Sequence, residues 1–526
     1  MTIVRDTLLL GILGLLAITA HASEPGQRVT PEDVDRLVVE SVTEMDAQPL
    51  VGDEQFLRRV SLDLIGRQPT PAEISRFLAD PDTDRRRAAV DRLLESAEYG
   101  IRWAHYWRDT ISARVPPPEL TFLDYGLFEE WLAAELNANR SWAEIVREIL
   151  TATGPVKENP AATFVGYHQG NAVKLGAETA RIFLGLQLQC AECHDHPYDD
   201  WTREEFHQMA SFFARAEGKL GKVQDGTGTI VSDRGKGEYS MPNAVDVNEK
   251  GTPMQPVLTT GEGLPLGKPD MARRQRLANL ITLPDNPWFA RAYVNRIWAK
   301  LMGRGFFEPV DDMGPYKEHL LPEVHDALTT HFLATGCDIK DLFRLIVSTR
   351  AYQRQLPIAQ SKDDILASGP VAERLRGDVL FDALVMATGL PNVTPEKKPA
   401  TKAFRFPPPP KSTRDLVVDA FIADPSLPEA EQPRTMGQAM FLMNNKQLQA
   451  QINADPDSGT QLSRLLTDYP DDSAAIEQLF LQVLARRPSQ REVTIATEHI
   501  QQVGQRGPAF EDLLWGLVNT VEFTTR

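Results

Sequence analysis

Apolar positions recur at helical spacing along most of the chain. Thr30-Pro31-Glu32-Asp33 reads as an N-cap, a proline at the first helical position and an acidic first turn. Val34, Leu37, Val38 and Val42 then fall on one face. A second helix carries Phe56, Leu57, Val60 and Leu64 and stops at Gly66, and Pro69-Thr70-Pro71-Ala72-Glu73 opens a third. Helical patterns follow over residues 85–96, 99–111, 128–152 and 176–189.

The pattern changes from 217 to 270. Glycine is frequent there, apolar runs shorten, and residues 238–242 and 248–257 alternate. Helical spacing resumes at Met271 and continues to the end, through 474–484, 492–503 and 510–523. The prediction is a mainly α protein, with helical domains over 28–216 and 271–526 joined by an irregular connector, 217–270, holding a few short β-strands. Pro407-Pro408-Pro409-Pro410 predicts an extended surface loop within the second domain.

An internal echo links the two domains. Leu62-Asp63-Leu64-Ile65-Gly66-Arg67-Gln68-Pro69-Thr70 with Glu73 parallels Leu481-Gln482-Val483-Leu484-Ala485-Arg486-Arg487-Pro488-Ser489 with Glu492. Both read as helix, Arg-x-Pro turn and capping box. A turn type common to helical hairpins and a true duplication both account for it.

The first residues set the expected compartment. Arg5, an apolar run from Leu8 to Ile18, and Ala20-His21-Ala22 form the three-part layout of a signal peptide over 1–22. The run is about half of what a membrane-spanning helix needs, and no later stretch is apolar enough to span a bilayer. Periplasmic or extracellular export is expected. The formal net charge of −17 opposes phosphate backbones, which excludes nucleic acid as a partner.

Only three cysteines occur, so cores rather than disulfides must hold the fold. Cys337 is expected to be a buried, small apolar residue. The other two stand in Cys190-Ala191-Glu192-Cys193-His194. In a c-type haem site, two thiols three residues apart add across the vinyl groups and the adjacent histidine ligates the iron. This assigns Cys190 and Cys193 as attachment points and His194 as proximal ligand, with haem c as cofactor. Three alternatives stay open. The pair is a redox disulfide, it joins His194 and His196 in binding zinc, or it forms a plain structural disulfide with no cofactor.

Thr202-Arg203-Glu204-Glu205 opens the next helix, whose buried stripe is Phe206, Met209, Ala210 and Phe213. Met209 is expected in the core and His207 on a solvated face. Each remains a candidate distal ligand, and His196 is a candidate proton carrier or weak catalytic group.

Here a resemblance enters. Arg181 to Pro197, including Cys190-Ala191-Glu192-Cys193-His194-Asp195-His196-Pro197, with Trp201 and Phe212-Phe213, resembles the planctomycete cytochrome-like domain, the domain of unknown function numbered fifteen forty-nine. Asn286-Pro287-Trp288-Phe289, Val294-Asn295-Arg296-Ile297-Trp298, Met302-Gly303-Arg304-Gly305-Phe306 and Pro309-Val310-Asp311-Asp312 resemble its partner domain, numbered fifteen fifty-three. Residues 342–352, Phe441-Leu442-Met443-Asn444-Asn445 and Leu484-Ala485-Arg486-Arg487-Pro488 fit the partner too. The resemblance implies a secreted protein with a haem-binding segment, found alongside machinery that degrades sulfated polysaccharides. It carries over no catalytic residues. Two departures stand out. The partner domain's usual His-Pro-Glu is Leu321-Pro322-Glu323 here, and Tyr106 replaces a histidine expected just before Trp107, with His105 one place earlier.

The leading expectation is electron transfer or substrate oxidation by an exported c-type haem protein, with a polysaccharide or an envelope redox partner. The alternative is a haem-free binding or assembly module. A third reading is a carbohydrate-active hydrolase using Asp311, Asp312 or His325 as acid/base groups. The bland counterpart is a buried ion-pair network of Asn295, Arg296, Asp311 and Asp312. Arg296, Asp311 and Asp312 are therefore weak catalytic candidates.

Overall fold

The computed structural model describes residues 28–41, 48–113, 125–224, 226–246, 248–355, 369–394, 411–421 and 435–526. The leader over 1–22 and the proline run at 407–410 lie outside the described residues.

The fold is mainly helical. Helices begin where capping chemistry requires. Thr30, Thr70, Thr202 and Ser489 each close a capping box with the acidic residue three places on, satisfying two otherwise unpaired backbone donors. The pattern over 128–152 divides into Tyr125–Asn137 and Trp142–Thr151, because Asn139 takes a left-handed conformation (φ 52°) between them.

The pattern over 176–189 is likewise not one helix. Ala172–Thr179 is α-helical and Ala180–Leu184 widens into a π-turn, which ends at left-handed Gly185. The positive φ of 67° favours glycine at Gly185, and a Cβ there would press on the end of the Met313 side chain at 2.7 Å. A short 3₁₀ turn, Leu188–Ala191, then delivers the cysteine segment.

The connector holds more regular structure than its composition predicts. Ala216–Val223 and Gly226–Asp233 pair antiparallel from Ala216↔Asp233 to Val223↔Gly226, and Gly154–Pro155 adds a short edge. Ser240–Met241 and Thr252–Pro253 form a second two-stranded sheet.

Apolar packing does not divide at this connector. One core draws mainly on residues 34–352, with Leu481 and Ala485, and a second mainly on residues 375–523, with Leu62. An aromatic ladder explains the continuity of the first core. Trp107 lies 4.3 Å from Trp142 and 5.7 Å from Tyr293, which stacks on Phe332 at 4.9 Å, so rings from both sides of the connector interlock.

The sequence echo is an echo of geometry. Arg67 bridges Glu73 (2.9 Å) and Glu98 (2.8 Å), and Arg486 bridges Glu492 (2.8 Å) and Glu522 (2.6 Å). In each copy the preceding residue, Gly66 or Ala485, is left-handed and ends the helix.

Candidate functional site

The cysteine segment is stapled to the helix Arg203–Ser211. Asp195 Oδ1 accepts from the Arg203 backbone N–H at 2.9 Å. The carbonyl of Glu192, between the two cysteines, accepts from His207 Nε2 at 3.0 Å and from Arg203 Nε at 3.4 Å. His207 Nδ1 in turn accepts from the Tyr239 hydroxyl at 2.7 Å, and the two rings stack. His207 is 1% exposed, so the expected solvated face is corrected. Its polar role is inward, holding the segment, and both its nitrogens are engaged. Burial lowers its pKa and keeps the ring neutral. Met209 lies in the core.

Held this way, Cys190 and Cys193 are exposed free thiols. His194 is also exposed, with Nδ1 2.6 Å from the Asp195 carbonyl. A carbonyl only accepts, so Nδ1 carries the proton and Nε2 keeps its lone pair, with no hydrogen bond among the described residues. His196 is the converse. Its Nδ1 accepts from the Tyr198 backbone N–H at 3.2 Å, so the neutral ring carries its proton on Nε2. The two neighbouring histidines therefore hold opposite tautomers, and only His194 presents a ligating nitrogen. Cys190, Cys193 and His194 are a donor set whose chemistry could hold a haem covalently. Among the described residues no group of three or more His, Cys, Asp or Glu side chains is placed to hold a metal ion on its own.

The second domain reaches this segment. Met313 N–H donates to the Gly185 carbonyl at 2.7 Å. Tyr316 hydroxyl donates to Asp200 at 2.9 Å. The side chain of Asp199 is 1% exposed and lies 3.9 Å from His196 Nδ1. Its carboxylate rests against Gly314, where a Cβ would lie 2.4 Å from both oxygens. Lys317 pairs with Asp312 at 2.7 Å. Trp201 meets Trp288 edge to face at 5.9 Å.

Of the residues expected to form one ion-pair network, Asn295, Arg296, Asp311 and Asp312, the two carboxylates turn to different cations. Asp311 pairs with Arg181 (2.9 Å) and accepts from Gln187 (3.2 Å), whereas Asp312 pairs with Lys317. Adjacent carboxylates on this irregular stretch face different partners. Asn295 accepts from the Phe306 and Phe307 backbone N–H groups at 2.7 and 3.1 Å, a structural role. Arg296 lies over the Trp107 ring at 5.9 Å, and its Nε and Nη2 are buried without a hydrogen-bond partner. Tyr106 packs against Trp103 and Trp107, and His105 sits between Glu129 and Asp378.

Residues 33–218 match a family described as a protein of unknown function (DUF1549), and residues 273–500 match a second so described (DUF1553). The chain belongs to the family that joins these two regions in this order. No curated protein and no solved structure matches it. In this family member, the Met313, Gly314 and Tyr316 contacts place the DUF1553 region directly against the cysteine segment of the DUF1549 region. The cysteine segment and its capping box are local and legible in sequence. Tyr239, Asp199, Met313, Gly314 and Lys317 were missed because their contacts join distant residues, and only the polar run Asp195–Asp200 hints at one of them. Among the described residues no helix is long and apolar enough to cross a membrane.

Proposed function

We propose that this is an exported c-type haem protein that transfers electrons or oxidises a substrate, with haem held by Cys190 and Cys193 and ligated by His194. The observation that supports it best is the pairing of two exposed free thiols with an exposed imidazole whose Nδ1 proton is held by the Asp195 carbonyl, which leaves Nε2 unengaged among the described residues. A bound haem would supply one-electron chemistry at iron. The chain's own contribution is positional. His207 and Arg203 hold the Glu192 carbonyl, and Asp195 holds both the His194 tautomer, through its carbonyl, and the helix start, through its carboxylate. Export matches the attachment chemistry, which proceeds outside the cytoplasm. An envelope redox protein or polysaccharide is the proposed partner.

The test is expression with haem-maturation machinery, then an absorbance spectrum. A Soret band that survives acid-acetone extraction in the parent chain, and is lost in Cys190→Ser with Cys193→Ser, is the expected result. A colourless protein with one disulfide, or with stoichiometric zinc, overturns the reading in favour of the haem-free module.

A further inference from the structure

A second constellation surrounds Trp107 and needs no haem. Arg296 is 5% exposed, and its guanidinium has no ion pair among the described residues. The two nitrogens buried without a hydrogen-bond partner are Nε and Nη2. Their N–H groups point the same way along one edge of the guanidinium plane, at the spacing of two oxygens of one carboxylate, sulfate or phosphate. The chain uses that edge so elsewhere. Arg67 gives Nε and Nη2 to the two oxygens of Glu98 at 2.8 and 3.0 Å, and Arg486 gives the same pair to Glu522 at 2.6 and 2.8 Å. Other buried arginines have their counter-charge. Arg181, Arg273, Arg274 and Arg526 each pair with a carboxylate. Arg102 leaves Nε and Nη1 unpaired, which lie on different edges, and the charges of Asp378, Asp63 and Glu373 oppose its own.

Arg296 lies over the Trp107 ring at 5.9 Å, and the indole Nε1–H of that ring is itself buried without an acceptor. Tyr293, one helical turn before Arg296, stacks on the same ring at 5.7 Å, and its hydroxyl is buried without a partner. Burial pushes that hydroxyl well above its usual pKa, so it keeps its proton. Guanidinium and indole only donate, and the phenol can donate. What this cluster lacks is acceptors and a negative charge. Unpaired buried donors are costly, and a buried guanidinium without a counter-charge more so. One oxyanion supplies both the lone pairs and the charge, whereas a water supplies no charge.

We infer that Arg296 binds an oxyanion through its Nε–Nη2 edge beside Trp107 and Tyr293, with the Trp107 indole N–H as a further donor. The ligand is an inorganic sulfate or phosphate, or the carboxylate of an organic acid. The test uses the full chain with sulfate, phosphate and acetate as probes, balanced with chloride to one ionic strength so that screening is constant. Calorimetric titration of the dialysed chain reads a weakly held ion, and ion chromatography of anions released on unfolding in urea reads a tightly held one. The expected result is a single site, saturable by a probe or already filled by an oxyanion that unfolding releases. A preference for acetate marks an organic acid, and one for sulfate or phosphate an inorganic ion. Arg296→Lys keeps the charge, loses the paired edge and weakens binding about ten-fold. Arg296→Met abolishes it in both readouts. Trp107→Phe weakens it about five-fold, the worth of one hydrogen bond. The bound probe raises the melting temperature of the parent and not of Arg296→Met. An equal rise in both would be general exclusion of the salt from the surface and would count against a site. No released anion together with no binding of any probe to the parent overturns the assignment, and so does binding that survives Arg296→Met. None of these readings depends on the Soret band, so the two proposals fail separately.

Discussion

His194 and His196 stand two residues apart in opposite protonation patterns, and the difference comes from one carbonyl and one amide. His207 ties the same segment down from inside. Replacing it with Phe preserves ring volume but strands the Tyr239 hydroxyl and removes one donor to Glu192, a cost of about 1–3 kcal/mol. The expected outcome is faster amide exchange across residues 188–196 and a lower yield of covalent haem with both cysteines intact. Unaltered exchange would show that Arg203 and Asp195 suffice to hold the segment. The thiols and His194 were legible because their chemistry is encoded in five consecutive residues. The role of His207 was not. Helical spacing placed it off the apolar stripe, and only the distant Tyr239 and the Glu192 carbonyl make an inward imidazole stable there. The Asp311–Arg181 pair was invisible for a related reason, since its partners stand 130 positions apart.

The arginine turn is the clearest repeated element. Arg486 uses three nitrogens on two carboxylates, and its hydrogen bonds hold Glu492 down at about 2. A carboxyl whose folded pKa lies below its usual value of 4.5 contributes stability above that value and loses it as pH falls towards 2. Arg486→Ala should therefore destabilise the fold at neutral pH, by about 1–2 kcal/mol given the partial exposure of the cluster. The variant should also show a shallower fall in melting temperature between about pH 5 and pH 2.5 than the parent. Parallel melting curves across that range would refute the linkage. The echo in sequence marked both turns because capping boxes and Arg-x-Pro spacing are short-range. The second carboxylates, Glu98 and Glu522, lie a helix or more away. Similarly, Gly185 was read as interior to a helix because spacing alone does not register the Met313 side chain against it.

At the scale of the molecule, the two cores exchange residues. The helix Asp53–Ile65 gives Phe56, Leu57, Val60 and Leu64 to the first core and Leu62 to the second, and the second domain's Leu481 and Ala485 return to the first. The two apolar cores, drawn mainly from residues 34–352 and 375–523, cut across the glycine-rich connector at 217–270. Composition registers chain irregularity but not which apolar faces meet. A buried ionic cluster sits where the cores meet. Arg526 bonds Asp63 at 2.9 Å, Glu373 at 2.7 Å and the carbonyls of Leu301 and Lys300. Tyr352 donates to Asp63 at 2.6 Å. All these charged side chains are nearly sealed from water, so deleting one leaves another uncompensated. Arg526→Ala should cost about 3–5 kcal/mol, while replacing Arg526 and Asp63 together with apolar residues of similar size should cost less. Because the cluster ties the first domain's helix to the second core, coupling between the cores should weaken with it. Trp103, Trp107, Trp142 and Trp298 all belong to the first core, whereas helical circular dichroism follows both. In urea the two signals should coincide for the parent and separate for Arg526→Ala, with the second core's helices lost first. Coincident transitions in the variant would mean that the exchanged apolar residues, rather than the charges, make the two cores unfold as one.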